Sequence, residues 1–190
     1  NNTITMANAP YSYGFRGAAK ELSLLNNSID GYPAEGSTLA VSTKAVEIFG
    51  SSGLVNILSN QIILGTTREN TNYGLDVNGA VEQLTIKNNE IYSRDRERGS
   101  ILATIGPETP WVQVAANRFQ LRSSKADSYA LINRSGARDD QHQIFANVFA
   151  KENSFGDEGL IRLLQLENAG PRVFNNSFFS ADEDKVEYLS

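Results

Sequence analysis

The chain has 190 residues, 17 basic and 22 acidic, giving a net charge of −5 and a pI near 5.0. That balance argues against nucleic acid and anionic membrane as partners, and the absence of cysteine excludes disulfide and thiol chemistry. No apolar run is long enough for a membrane span, no signal peptide is visible, and the length predicts a single domain over 1–190.

In chain order, Asn1-Asn2-Thr3-Ile4 reads as the tail of a coil, so the chain is expected to be a fragment of a longer solenoid or multidomain protein. Tyr11 to Phe15 predicts a strand. It is followed by Leu22-Ser23-Leu24-Leu25-Asn26-Asn27-Ser28-Ile29. Asp30 to Gly36 is a Gly/Pro loop. Thr38 to Ser42 is the next expected strand, and Val46 to Phe49 adds apolar material before Val55-Asn56-Ile57-Leu58-Ser59-Asn60-Gln61-Ile62. A polar loop, Thr66 to Tyr73, precedes a strand over Gly74 to Asn78. Leu84-Thr85-Ile86-Lys87-Asn88-Asn89-Glu90-Ile91 then supplies the clearest copy of the unit. Strands over Ser100 to Ile105, Tyr129 to Asn133 and Leu160 to Leu164 alternate with further copies ending at Phe119, Phe149 and Phe178. Val186 to Leu189 reads as the start of another strand.

The second Asn of each copy marks the repeat: Asn27, Asn60, Asn89, Asn117, Asn147 and Asn176, at steps of 33, 29, 28, 30 and 29. A period of this size signals a solenoid or array. Within the unit the apolar period is two, then a turn, then two again, so the unit is strand–turn–strand and not helical. With the strand that precedes each copy, this predicts an all-β fold: a parallel β-solenoid of about six coils, three short strands per coil. Asn tolerates the left-handed backbone region, so it is expected to turn the chain at this corner. Stacked about 4.8 Å apart, the side-chain amides would form an asparagine ladder.

The unit Leu84-Thr85-Ile86-Lys87-Asn88-Asn89-Glu90-Ile91 resembles the repeat of right-handed parallel β-helix proteins, the pectate-lyase-like superfamily of carbohydrate-binding and sugar-cleaving proteins. The resemblance covers nearly the whole chain. It implies a β-helix domain that recognises a polysaccharide, in a secreted, cell-surface or periplasmic protein. It also implies a groove beside the first sheet of each coil, whose outward positions would include Lys44, Asp76, Asn78, Thr104, Asn133, Arg134 and Arg162. A lyase or epimerase acting on acidic glycans needs a cation beside the uronate and a base. Asp76, Arg134 and Arg162 are the catalytic candidates on that pattern. Lys44, Asn78, Thr104 and Asn133 are candidate substrate contacts, with Trp111 as a stacking surface. Whether the chain is an enzyme at all stays open.

Other charged segments are weighed beside these. Arg94-Asp95-Arg96-Glu97-Arg98 and Arg138-Asp139-Asp140 read as solvated loops, the first with the option of clamping a sugar carboxylate. His142, the sole histidine, stands where Leu84 stands in the clearest copy and reads as a core or loop residue. Asp182-Glu183-Asp184 offer oxygen ligands to calcium, but the loop pattern of a calcium site is missing, so neither a metal nor another cofactor is expected. The alternative function is a non-catalytic structural solenoid: an adhesin, spacer or phage tailspike segment, built as a homotrimer or packed on neighbouring domains of its own polypeptide.

Overall fold

A computed structural model describes residues 2–5, 11–31, 42–64, 72–93, 100–122, 128–136, 141–152, 161–168, 171–181 and 186–188. Strand β1 (Thr3–Thr5) precedes the first complete coil, β2 (Tyr11–Gly17), β3 (Glu21–Leu25) and β4 (Ser28–Asp30). The next three coils are β5 (Ser42–Ile48), β6 (Ser52–Leu58) and β7 (Gln61–Leu64); β8 (Asn72–Val77), β9 (Val81–Lys87) and β10 (Glu90–Ser93); and β11 (Ser100–Ile105), β12 (Trp111–Ala115) and β13 (Arg118–Leu121). Then come β14 (Tyr129–Asn133), β15 (His142–Phe145), β16 (Val148–Lys151), β17 (Ile161–Leu166), β18 (Arg172–Phe174), β19 (Ser177–Ser180) and β20 (Val186–Glu187).

Every strand pairs in parallel with the strand three places away. This gives sheet A (β1-β4-β7-β10-β13-β16-β19), sheet B (β2-β5-β8-β11-β14-β17-β20) and sheet C (β3-β6-β9-β12-β15-β18). The fold is a parallel β-solenoid with three walls and no helix among the described residues. Its size differs from the expected six coils. The solenoid amounts to about four turns, and the coils from β2 to β13 are described along all three walls, with residues 32–41, 65–71 and 94–99 between them outside the described set. The strands beyond them continue each wall, but residues 137–140 and 169–170 fall outside the described set. Of the expected strand over Thr38 to Ser42, only Ser42 lies within the described residues. The described strand runs from Ser42 to Ile48 and takes in the segment that reads as mere apolar filling.

The interior is made of columns. Ile29, Ile62, Ile91, Phe119 and Phe149 stack in sheet A, and Val55, Leu84 and Val112 in sheet C. Val46, Leu75, Ala103, Leu131 and Leu164 do so in sheet B. All are essentially sealed from solvent. The rings of Phe119, Phe149 and Phe178 lie face to face at 5.0 and 5.1 Å, matching the strand spacing. Each buried aliphatic side chain is worth roughly 1.5–3 kcal/mol. One coil therefore cannot offset its own conformational entropy, and only stacking makes the sum favourable.

The corner between sheets C and A carries the ladder. In each coil the backbone N–H and the Nδ2 of the Asn both donate to the Oδ1 of the next Asn. Asn60 reaches Asn89 at 2.9 and 3.0 Å, and Asn117 reaches Asn147 at 2.9 and 3.0 Å. Asn2 joins at the start, reaching Asn27 at 3.2 and 3.1 Å. The remaining amide hydrogen goes to a main-chain carbonyl of the preceding coil, as from Asn89 to Ile57 at 2.7 Å. Asn27, Asn60, Asn89, Asn117 and Asn147 are buried, and Asn176 ends the series. The turn itself is made elsewhere than expected. The left-handed residue is the one before the ladder Asn: Asn26, Ser59, Asn88, Ala116, Ala146 and Asn175, with φ between 54° and 57°. The ladder Asn is kept for its amide, and its neighbour bends the chain.

Candidate functional site

Sheet B departs from simple alternation, and that departure shapes its outer face. Two successive residues point inward on each strand, such as Gly74 and Leu75, or Leu102 and Ala103. The pairing register passes over the first of each pair. A Cβ on Gly74 would stand 2.7 Å from Leu64 Cδ1, so that position faces the core. The outward residues therefore form two columns three positions apart. One is Tyr13, Lys44, Tyr73, Ile101, Tyr129 and Arg162. The other is Arg16, Glu47, Asp76, Thr104, Ile132 and Gln165.

At one end the columns are knitted by charge. Lys44 Nζ donates to Glu47 Oε1 at 2.6 Å and to Asp76 Oδ2 at 2.5 Å. Asn78 Nδ2 donates to the same two oxygens, each at 3.2 Å. Arg16 Nε closes the group on Glu47 Oε2 at 2.6 Å. Glu47 and Asp76 are buried. Burial pulls the Lys44 ammonium down, but its bonds to Asp76 and Glu47 outweigh that, so its pKa is raised. Burial pushes Glu47 up, yet Lys44, Asn78 and Arg16 hold it below the usual carboxylate range. Aromatic rings flank the cations. Arg16 sits 5.0 Å from the Tyr13 ring centre and 4.6 Å from that of Phe49. Lys44 lies 5.5 Å from Tyr73, and Arg162 lies 5.8 Å from Tyr129, to whose hydroxyl its Nη1 donates at 3.2 Å.

Of the candidates named from sequence, Lys44, Asp76 and Asn78 meet in one cluster. Thr104 follows Asp76 in its column and is buried. Arg134 and Arg162 belong to other coils. Arg162 is three strands from Asp76, roughly 14 Å at the spacing of a sheet. Arg134 follows β14, two strands away, and its Nε pairs with Glu167 Oε2 at 2.9 Å. Asn133 faces the core in the column of Ile105 and Leu166, wholly buried, with no hydrogen-bond partner for either amide atom among the described residues. Trp111 is half-buried on sheet C, beside Gln83, and so lies on a different wall. His142 is buried in register with Val112 and Leu84, and neither ring nitrogen has a hydrogen-bond partner among the described residues. Burial alone lowers its pKa to about 4.

The segments 94–98, 138–140 and 182–184 singled out in the sequence lie outside the described residues, as do 32–36 of the Gly/Pro loop. Among the described residues, no three of His, Cys, Asp or Glu converge as metal ligands. Glu47 and Arg16 are absent from the sequence-based candidates, yet a signal for them exists. Arg16 and Glu47 are 31 residues apart, Lys44 and Asp76 are 32 apart, and Arg134 and Glu167 are 33 apart. Opposite charges one repeat apart land on neighbouring strands. No protein-family model matches the chain, and no curated protein or solved structure does so either.

Proposed function

We propose that the chain recognises an acidic polysaccharide laid along the outer face of sheet B, parallel to the solenoid axis, and binds it without cleaving it. The observation that carries this is the outward column Tyr13, Lys44, Tyr73, Ile101, Tyr129 and Arg162, in which rings and cations share one register position on successive strands. Rings offer flat apolar surface to pyranose faces, and cations offer charge-assisted bonds to carboxylates. Tyr13 is 39% exposed and Lys44, Tyr73, Tyr129 and Arg162 are partly open, while Ile101 between them is buried. Two groups of the charged cluster are poorly poised to act as general bases. A general base works best with a pKa near the operating pH, whereas Lys44 is raised and Glu47 lowered. The setting that fits such a domain is a secreted or surface protein.

The test is calorimetric titration with oligogalacturonate and oligoalginate, alongside an absorbance assay for unsaturated product. Binding without product is expected, and a Tyr73→Ala/Arg162→Ala double variant should weaken it by about tenfold. Product formation would move the chain to the lyases. One observation favours a purely structural solenoid instead: Glu47 and Asp76 are satisfied within the cluster and buried. Absence of binding to any glycan, with trimers in solution, would select that reading.

A further inference from the structure

The corner between sheets B and C is built from small residues in two successive coils: Gly50-Ser51-Ser52-Gly53, then Gly79-Ala80. Among the described residues, a groove of about 630 Å³ runs along the axis across four coils, from Lys20 and Glu21 to Glu108 and Pro110. Its apolar lining comes from Leu54, Val81 and Pro110. Its rim holds the carboxylates of Glu21, Glu82 and Glu108 against the single ammonium of Lys20. All three glutamates are exposed, and among the described residues none has an ion-pair partner. By the strand spacing, Glu82 lies about 10 Å along the axis from Glu21, and Glu108 about 5 Å further.

We infer that this groove docks an extended basic segment of a partner polypeptide. Charge complementarity selects a cationic occupant. Arginine forks fit carboxylates bidentately, and the methylene stems of Lys and Arg lie well on an apolar lining. The lining contains no aromatic ring, so the stacking platform that a saccharide uses is missing here. The site is separate from the outer face of sheet B, and its charge is of the opposite sign to the cations there.

The experiment is fluorescence anisotropy with a fluorescein-labelled Arg-Ser-Arg-Ser-Arg peptide, and a Gln-for-Arg peptide as the uncharged control. The native chain should bind the basic peptide, less tightly as salt rises, and ignore the control. Glu82→Gln with Glu108→Gln should weaken binding by about tenfold or more; both side chains are exposed, so the fold is retained. No binding at about 1 mM peptide, or equal binding by the double variant, overturns the inference. So does capture of a glucosamine oligomer by the groove in place of the peptide.

Discussion

Ala116 and Ala146 hold a backbone that L-residues resist, at φ 54° and 55°. The left-handed region costs a residue with a Cβ roughly 1–2 kcal/mol, part of which glycine gives back in unfolded-state entropy. Both side chains are exposed, so nothing is lost in packing. Ala116→Gly and Ala146→Gly should each stabilise by about 1 kcal/mol, read as a shift of the urea midpoint. The neighbouring Asn behaves oppositely. Asn117 is buried and bonds to Asn147 and to the Ile86 carbonyl while accepting from Asn89. Asn117→Ala strands these groups and should cost on the order of 3–5 kcal/mol. Asn176, at the end of the series, should cost clearly less.

His142 supplies the pH dependence. Its pKa is about 4 in the fold against 6.5 for the free side chain, because burial disfavours the imidazolium. Between those values the unfolded chain binds the extra proton, so stability is complete above pH 6.5 and drains away as pH falls toward 4. The loss is about 3 kcal/mol, at 1.36 kcal/mol per pH unit. His142→Leu, which copies Leu84 at the same register position, should flatten that part of the stability–pH curve in denaturant titrations.

At the level of the strand and corner, glycine packing is as strict as the ladder. A Cβ on Gly79 would fall 2.1 Å from the Gly50 oxygen and 2.8 Å from its nitrogen. Main chain cannot yield as a side-chain tip can, so Gly79→Ala should destabilise by about 2 kcal/mol or more, with the midpoint of thermal unfolding as readout. Strand pattern also explains what was legible in sequence. In β9 and β10 the core residues Leu84, Ile86 and Ile91 stand at alternate positions with more open neighbours, so they declare their faces by position. Sheet B inserts a second inward residue. Alternation counted from Tyr129 points Asn133 outward, whereas the extra inward step makes Ile132 the outward neighbour and buries Asn133. In β8 and β14 the shift leaves little mark in the apolar period, because the small residues Gly74 and Ala130 stand at the inserted position, whereas Leu102 and Leu163 mark it in β11 and β17 by a second apolar residue in succession.

For the whole molecule, the repeat period made the fold legible, since stacking is the only way such short strands bury a core. The charged cluster was half legible. Lys44, Asp76 and Asn78 were found as outward residues, while Glu47 and Arg16 show only when opposite charges are compared one repeat apart. Arg134 and Arg162 were grouped with Asp76 by face, yet face is shared by every coil, and it is the coil number that sets distance along a solenoid. The acidic glycan proposed for the sheet B column and the basic peptide proposed for the corner beside it are tested separately, the glycan first. The direct measurement is the structure of the complex with an oligogalacturonate. The expected result is a chain lying across β8, β11, β14 and β17, with sugar rings on Tyr73 and Tyr129 and a carboxylate at Arg162. An oligosaccharide bound on sheet A or sheet C, or none bound at saturating concentration, would contradict it.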